Sequence, residues 1–308
     1  MPPMQFLRAR RSPADNRLSI GIAIPTCRRW TCSPAGGTVP PTTIKGVQNS
    51  MFDPPLGEFA SFAHDIADLA RQTISSAAGV RREPIAKSDA SPVTETDRAV
   101  EKCLRERIAD HFPDHGVLGE EFGAKGLGNE FVWVIDPIDG TKAFVAGLPV
   151  YGTLISLTRG GTPILGLIDN PMTGDRWLGV SGQPTTLNNV PIRTASTTAL
   201  ATAFIANGNP DAFSPADKSR VESLRRITRW CVYGGSCIAY GRVADGSVDI
   251  SIDGGLDPYD YCALVPVITG AGGCITDWQG RPLTLNSGGL CVATATDLLH
   301  RHVLEILA

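Results

Sequence analysis

The 308-residue chain is poor in several things, and each shortage removes a class of function. No apolar run reaches the roughly 18 residues that would suggest a membrane span. There are five histidines, and no Cys/His spacing of a zinc site goes with them. His300 and His302, close together near the C-terminus, form no ligand pattern with other residues. The eight cysteines contain no C-x-x-C pair. Cys103, Cys231, Cys237, Cys262, Cys274 and Cys291 read as small core or near-core residues of a reduced, cytoplasmic protein. Positive charge is also scarce where it would matter for nucleic acid. The net charge is −3, with residues 1–50 at +6 and the remainder at −9. An acidic body argues against a nucleic-acid partner and suits metal-ion chemistry.

Familiar nucleotide and nucleophile motifs are missing too. There is no G-x-x-x-x-G-K-[ST] loop, so this is not a P-loop hydrolase. In TGAGGCI, Ile275 stands where a dinucleotide fold needs its third glycine. In GGSCIAY, Ile238 replaces the closing glycine of a nucleophile elbow. Cys237 and Arg242 are one residue too close for a cysteine-phosphatase loop.

What is present is a globular pattern from Leu56 onward. Residues 1–50 are rich in Arg, Pro, Thr and Gly and lack a sustained period. The apolar LSIGIAI is short and is followed by Arg28 and Arg29, which argues against a secretory signal. The alternatives are a transit peptide and an untranslated leader with Met51 as the true start. The second is preferred, and on either reading residues 1–55 are expected to be a disordered leader. Apolar residues from Phe59 to Ile74 recur at helical spacing, predicting a first helix that ends near Gly79. A second helix carries Val100, Cys103, Leu104 and Ile108, with Thr94 and Asp97 spaced as a capping box. FVWVID reads as a strand covered on both faces. YGTLISLT and TPILGLIDN, separated by RGGT, read as a hairpin, and DRWLGVSG as a third antiparallel strand. The later chain alternates: strands near 201–206, 229–233, 248–252, 274–277 and 290–293, helices near 216–227, 236–245, from Pro258, and 296–307. The expected class is layered α/β in one domain over 56–308, with an N-terminal α+β half to about 195 and a C-terminal α/β half.

The informative stretch is WVIDPIDGTKAF, residues 133–144. Two carboxylates stand where an apolar strand runs out, at the crevice where α/β sheets bind ligands. Ionised together they repel unless a cation intervenes. A hard divalent ion with oxygen ligands removes that cost. The Ile138 carbonyl lies between Asp136 and Asp139, Gly140 allows close backbone approach, and Thr141 opens a helix whose first N–H groups suit a phosphate. The plainer reading is that Asp136 and Asp139 only cap a helix. Two further acidic element ends weigh against it: GEE at 119–121 and Asp260 in LDPYDY. Together they would serve a two-metal centre for phosphoryl transfer.

At these residues the chain from about 56 to 308 resembles the inositol-monophosphatase-type family of Mg²⁺-dependent, lithium-sensitive phosphatases. The blocks that carry the resemblance are GEE, WVIDPIDGTKAF and LDPYDYCALVPVITGAGG, in that order. DGTKAFVAGLPVYGTLISL, PILGLIDNP and ITDWQGRPL are similar to the histidinol-phosphate phosphatase branch. The resemblance implies an αβαβα sandwich with a six-stranded, mainly antiparallel sheet and a smaller second sheet, usually as a homodimer. It implies two or three Mg²⁺ ions, with Mn²⁺ as a substitute, and a small phosphomonoester substrate hydrolysed by metal-activated water. It assigns metal binding to Glu120, Asp136, the Ile138 carbonyl, Asp139 and Asp260. Glu120, Thr141 and Asp97 would act on the attacking water, Asp97 also being the helix cap. Gly140 and Thr141 amides would hold phosphate. Gly234, Gly235, Ser236, Asp253 and Asp260 would face the substrate, and Lys87 is a further candidate in the loop before Asp97.

Three positions depart from the histidinol-phosphatase branch. Ser236 stands where that branch usually has Asp, Asp253 where it has Glu, and Asp257 where it has a basic residue. Ser236 removes an acid that would pair with the substrate's amine, and Asp257 adds one nearby. The expected reaction is histidinol phosphate to histidinol. The alternatives are inositol monophosphate or another polyol or sugar phosphate, and a non-catalytic phosphate-binding relative. A haloacid-dehalogenase-type aspartyl nucleophile fits poorly, because that family spaces its aspartates D-x-D.

Overall fold

Strand β5 (Phe131–Asp139) organises the molecule, and its residues explain why. Trp133 and Ile135 point to one core, Val132 and Val134 to another, so the run is apolar without alternation. The computed structural model describes residues 56–76, 85–86 and 92–308. The leader expected over 1–55 and the candidate Lys87 lie outside the described residues.

Helix α1 (Leu56–Ser76) buries Phe59, Phe62, Ala63, Ile66, Ala67, Ala70 and Ile74 along one stripe. Strands β1 (Ile85–Ala86) and β2 (Pro92–Val93) pair as a short ribbon. Helix α2 (Glu95–His111) buries Val100, Leu104 and Ile108. Its predicted capping box forms: the Thr94 N–H donates to Asp97 Oδ2 at 2.9 Å, and Thr94 Oγ1 accepts from the Thr96 and Asp97 amides.

The larger sheet contains β3 (Gly116–Gly119), β4 (Gly123–Lys125), β5, β6 (Gly152–Arg159), β7 (Thr162–Asp169), β8 (Arg176–Val180), β9 (Thr186–Leu187) and β10 (Val190–Pro191). Their spatial order is β10-β9-β8-β7-β6-β5-β3-β4, antiparallel except for the β3–β5 pair. The sheet therefore has eight strands rather than the six that the resemblance implies. Three of the eight are too short to carry an apolar pattern: exposed β4 and the two strands of the β9–β10 hairpin, whose turn residues Asn188 and Asn189 both have positive φ, as a type I′ turn requires.

The smaller sheet has β11 (Phe204–Asn207), β12 (Trp230–Tyr233), β13 (Ile250–Asp253), β14 (Cys274–Thr276) and β15 (Cys291–Thr294), in the order β12-β11-β13-β15-β14. β11 runs parallel to both neighbours, while β15 is antiparallel to β13 and β14. The six later helices are α3 (Thr141–Ala146), α4 (Pro215–Ile227), α5 (Ser236–Ala244), α6 (Pro258–Tyr261), α7 (Leu264–Gly270) and α8 (Asp297–Leu307). The helix expected from Pro258 is thus two helices. Pro266 supplies no N–H for the Cys262 carbonyl and its ring crowds that carbonyl, so the chain breaks at Cys262–Ala263.

Three cores define five layers. α1 and α2 cover one face of the larger sheet. α5 and α7 fill the space between the sheets, with Val132, Val134 and Trp177 on one side and Ala206, Cys291 and Ala293 on the other. α4 and α8 cover the outer face of the smaller sheet through Val221, Leu224, Leu299 and Val303. The order αβαβα is the expected one. Among the described residues no helix is long and apolar enough to cross a membrane.

Candidate active site

The strand read as FVWVID, ending at Asp136, instead runs on to Asp139, and this decides where its carboxylates point. Asp136 pairs with Leu154 and Asp139 with Gly152, so three steps on β5 oppose two on β6. In a regular strand residues three apart face opposite ways. The extra residue of the bulge brings Asp136 and Asp139 to one face. Pro137 sits within the bulge, where its missing N–H interrupts no ladder bond, and its carbonyl accepts from Thr153 Oγ1 at 2.8 Å. The Ile138 N–H turns inward to Asp136 Oδ1 at 3.0 Å.

Asp260 comes to the same place from the first turn of α6. The Asp257 N–H donates to its Oδ2 at 2.7 Å. One carboxylate oxygen each from Asp136, Asp139 and Asp260 lies within 4.8 Å of the other two. Glu120, just beyond β3, shares a hydrogen bond with Asp136 and adds its charge to the field at all three. Burial pushes Asp136 well above the usual carboxylate range, with Glu120, Asp139 and Asp260 adding to the rise. Asp260 is driven up well above its ordinary value in the same way, by burial and then by Asp139. Asp139 is raised by burial, against the bonds it receives from Cys237. One of these is the Cys237 N–H in the first turn of α5, so a helix N-terminus faces this carboxylate. Acids that repel in a dry site, with several oxygens converging, suit a hard divalent cation. The donor set therefore fits the expected metal.

The neighbouring groups are equally specific. Asp97 is fully buried, and burial raises its carboxyl while the bonds from Thr94 oppose the rise. Thr141 Oγ1 lies 3.4 Å from Asp97 Oδ1 and 3.1 Å from the Ile138 carbonyl oxygen. Its single proton serves one of these at a time. Gly140 has φ 87°, and a Cβ there would stand 2.5 Å from Ser236 Oγ and 3.0 Å from the Val150 carbonyl oxygen. Only glycine accommodates both the backbone and the contact.

The substrate-side candidates gather on the same cleft. Gly234, Gly235 and Ser236 have consecutive positive φ values of 74°, 119° and 48°, turning the chain sharply from β12 into α5. Asp253 ends β13, buried, and accepts from Tyr240 Oη at 3.0 Å and from the Asn209 N–H at 3.2 Å. Burial raises its carboxyl to about 7, with Asp139 contributing, against the two bonds. The Asp257 carboxylate is exposed and accepts from Tyr259 Oη at 2.8 Å. A cleft of about 740 Å³ joins Glu120, Asp139, Gly140, Thr141, Asp253 and Asp260 with the Gly234–Ser236 turn. Asp136 and Ile138 lie buried beneath it.

Several cleft residues escaped the sequence reading. Tyr240 and Asn209 hold Asp253, Cys237 holds Asp139, and Lys142 lines the wall. One available signal was the glycine that follows each of the parallel strands β11, β12 and β13, in NGN, YGG and DGG. The failed cysteine-phosphatase motif has a structural role instead. The Cys237 thiol is pushed well above its ordinary value by burial and by Asp139. Arg242 is bound to Asp175 and Asp245 at 2.5 and 2.8 Å. His300 is buried against the hydroxyls of Thr276 and Thr294.

Fold and site define a class: a layered α/β protein whose converging carboxylates, able to hold a divalent cation, lie in the wall and floor of a cleft sized for a small ligand. Residues 56–308 match the model of the inositol monophosphatase family. The chain is 38% identical to the chloroplastic bifunctional phosphatase IMPL2 of Arabidopsis thaliana, over 98% of this chain and 91% of that protein. It is 36% identical to a histidinol-phosphatase of Mycobacterium tuberculosis, over 72% and 86% of the respective chains. The solved inositol monophosphatase of Zymomonas mobilis superposes with a TM-score of 0.76 at 36% identity, covering 83% of this chain and 99% of that one. The chain belongs to the inositol monophosphatase family, and is a phosphatase of that family.

Proposed function

We propose that the protein is a Mg²⁺-dependent phosphomonoesterase acting on histidinol phosphate. The observation that carries this reading is the convergence of Asp136, Asp139 and Asp260. These three, with Glu120 and the Ile138 carbonyl, would hold the metal. Two or three bound Mg²⁺ ions, or Mn²⁺ in their place, would neutralise the acids and the developing phosphoryl charge and make water acidic enough to attack.

The chain's own groups do the rest. The Asp97 carboxylate accepts a hydrogen bond from the Thr141 hydroxyl, which leaves the Thr141 oxygen lone pair to accept from the attacking water and orient it. Glu120 accepts that water's other proton. The Gly140 and Thr141 amides hold the phosphoryl oxygens, so the water adds in line as the ester P–O bond breaks; the departing oxygen takes a proton from solvent water and leaves as the alcohol, and Glu120 returns its proton to solvent. No covalent phospho-enzyme forms. Exposed Asp257, joined by Asp253 as pH rises through about 7, supplies negative charge toward the leaving group, which suits the cationic amine of histidinol. The histidinol-phosphatase name of a 36% identical relative supports the same substrate. Edge strand β12, with Trp230, Val232 and Tyr233 exposed, supports a homodimer.

A second reading, inositol monophosphate or another small polyol phosphate, is favoured by the neutral Ser236 and by the name of the Zymomonas mobilis relative. The test is a panel of phosphomonoesters with Mg²⁺ and with chelator. Histidinol phosphate is expected to exceed inositol 1-phosphate in kcat/KM by about tenfold or more. The reverse ratio overturns the substrate assignment. No phosphate release from any ester would favour a non-catalytic binding protein.

A further inference from the structure

The cleft wall carries four acids, Glu120, Asp139, Asp253 and Asp260, and two bases, Lys142 and Arg242. The bases differ in kind. Arg242 is spent on ion pairs with Asp175 and Asp245, and its guanidinium lies 5.0 Å from the centre of the Trp177 ring. Lys142 is exposed, and among the described residues it makes no hydrogen bond or ion pair, not even with the four acids of its own cleft. It follows Thr141 directly, on the first turn of α3. A lysine beside so much negative charge and bound to none of it is a cation held in reserve for something that enters.

We infer that Lys142 is the protein's own cation for the phosphoryl group, a binding residue that recognises the dianion whatever alcohol it esterifies. The inference rests on the phosphatase reading above. A lysine ammonium on a flexible stem reaches a phosphate as a point charge, without the fixed geometry of a guanidinium. The acids of the cage cannot contact a dianion favourably themselves, and Arg242 is already neutralised. Lys142 is therefore the side chain of this wall left to add positive charge as substrate arrives, and to draw anions in from solution. Because it addresses the phosphate rather than the alcohol, its effect is common to every ester and to inorganic phosphate.

The test compares wild type, Lys142→Met and Lys142→Arg, as full chains with Mg²⁺ present. Inorganic phosphate is the probe in calorimetry and in product inhibition, and KM is measured for two hydrolysed esters of different alcohols at low and high salt. Lys142→Met is expected to weaken phosphate binding by about tenfold, the 1.4 kcal/mol scale of one charge-assisted contact. It should raise both KM values by the same factor, act on KM more than on kcat, and flatten the salt dependence. Lys142→Arg should restore most of the loss. Unchanged phosphate binding in Lys142→Met, or a rise in KM for one ester alone, overturns the inference. If wild type binds phosphate but hydrolyses nothing, the phosphatase reading fails while the calorimetric comparison still decides the role of Lys142.

Discussion

Asp253→Asn tests the electrostatics of the cleft most directly. Asp253 lies buried between the Tyr240 hydroxyl and the Asn209 amide, and its carboxyl stands at about 7 rather than 3.8. Because the native value is raised, the folded protein keeps this proton to higher pH than the unfolded chain does. The group's contribution to stability is full below about pH 4 and is lost as pH rises through about 7. A rise of three units corresponds to on the order of 4 kcal/mol, of which about 3 kcal/mol falls between pH 4.5 and 8. Asparagine keeps the shape, since its Oδ1 accepts from the Asn209 N–H and its Nδ2 donates to the Tyr240 oxygen, whose own proton turns to its other partner, the Cys291 thiol. Urea unfolding in chelator, at pH 4.5 and pH 8, is the assay. The variant is expected to gain about 3 kcal/mol on wild type between those pH values. The raised carboxyls at Asp97, Asp136 and Asp260 titrate in both proteins and cancel in the difference, while the repulsion from Asp139 is part of the Asp253 rise and disappears with it. A variant-minus-wild-type difference that is the same at both pH values refutes the reasoning.

Asp136→Asn removes one of the converging charges, so in chelator at pH 8 it should raise the Tm. With Mg²⁺ it should lose the metal-induced Tm increase and at least about 100-fold in kcat/KM. Gly140→Ala forces a side chain into left-handed backbone against Ser236 Oγ and the Val150 carbonyl. It should lose about 2–4 kcal/mol in chemical denaturation, and unchanged stability would contradict the 2.5 Å contact. Ser236→Asp places an acid at a position whose left-handed backbone Asp tolerates well. It should raise the kcat/KM ratio of histidinol phosphate over inositol 1-phosphate by about tenfold, and an unchanged ratio removes Ser236 from the amine side of the cleft. Thr94→Ala removes the cap of α2 and a bond to Asp97, for about 1 kcal/mol of stability, and should lower kcat as Asp97 loses its orientation.

Much of this molecule is legible along the chain. The stripe from Phe59 to Ile74, the Thr94–Asp97 cap, the hairpin at Gly160–Gly161 and the last helix all follow from local rules, because each element is shaped by residues a few positions apart. The short strands β4, β9 and β10 were not legible, since two or three residues hold no period and take their strand geometry from a neighbour. The split between α6 and α7 was present in the sequence as Pro266 but outweighed by the helical pattern around it.

The site divides in the same way. The kinds of group were set by the sequence alone: carboxylates at the ends of elements, a glycine and a hydroxyl after the second of them, and glycines beyond the parallel strands. Their convergence was decided only in three dimensions. Asp136 and Asp139 face together because β5 gains a residue against β6, and a bulge is a property of a strand pair, not of one strand. Asp260, more than a hundred residues away, joins them because α6 packs against that pair. The helix that steadies Asp139 and the hydroxyl that holds Asp253 belong to α5, wedged between the sheets. Local propensity acts over a few residues, while charge repulsion and burial act over a few ångströms whatever the separation along the chain.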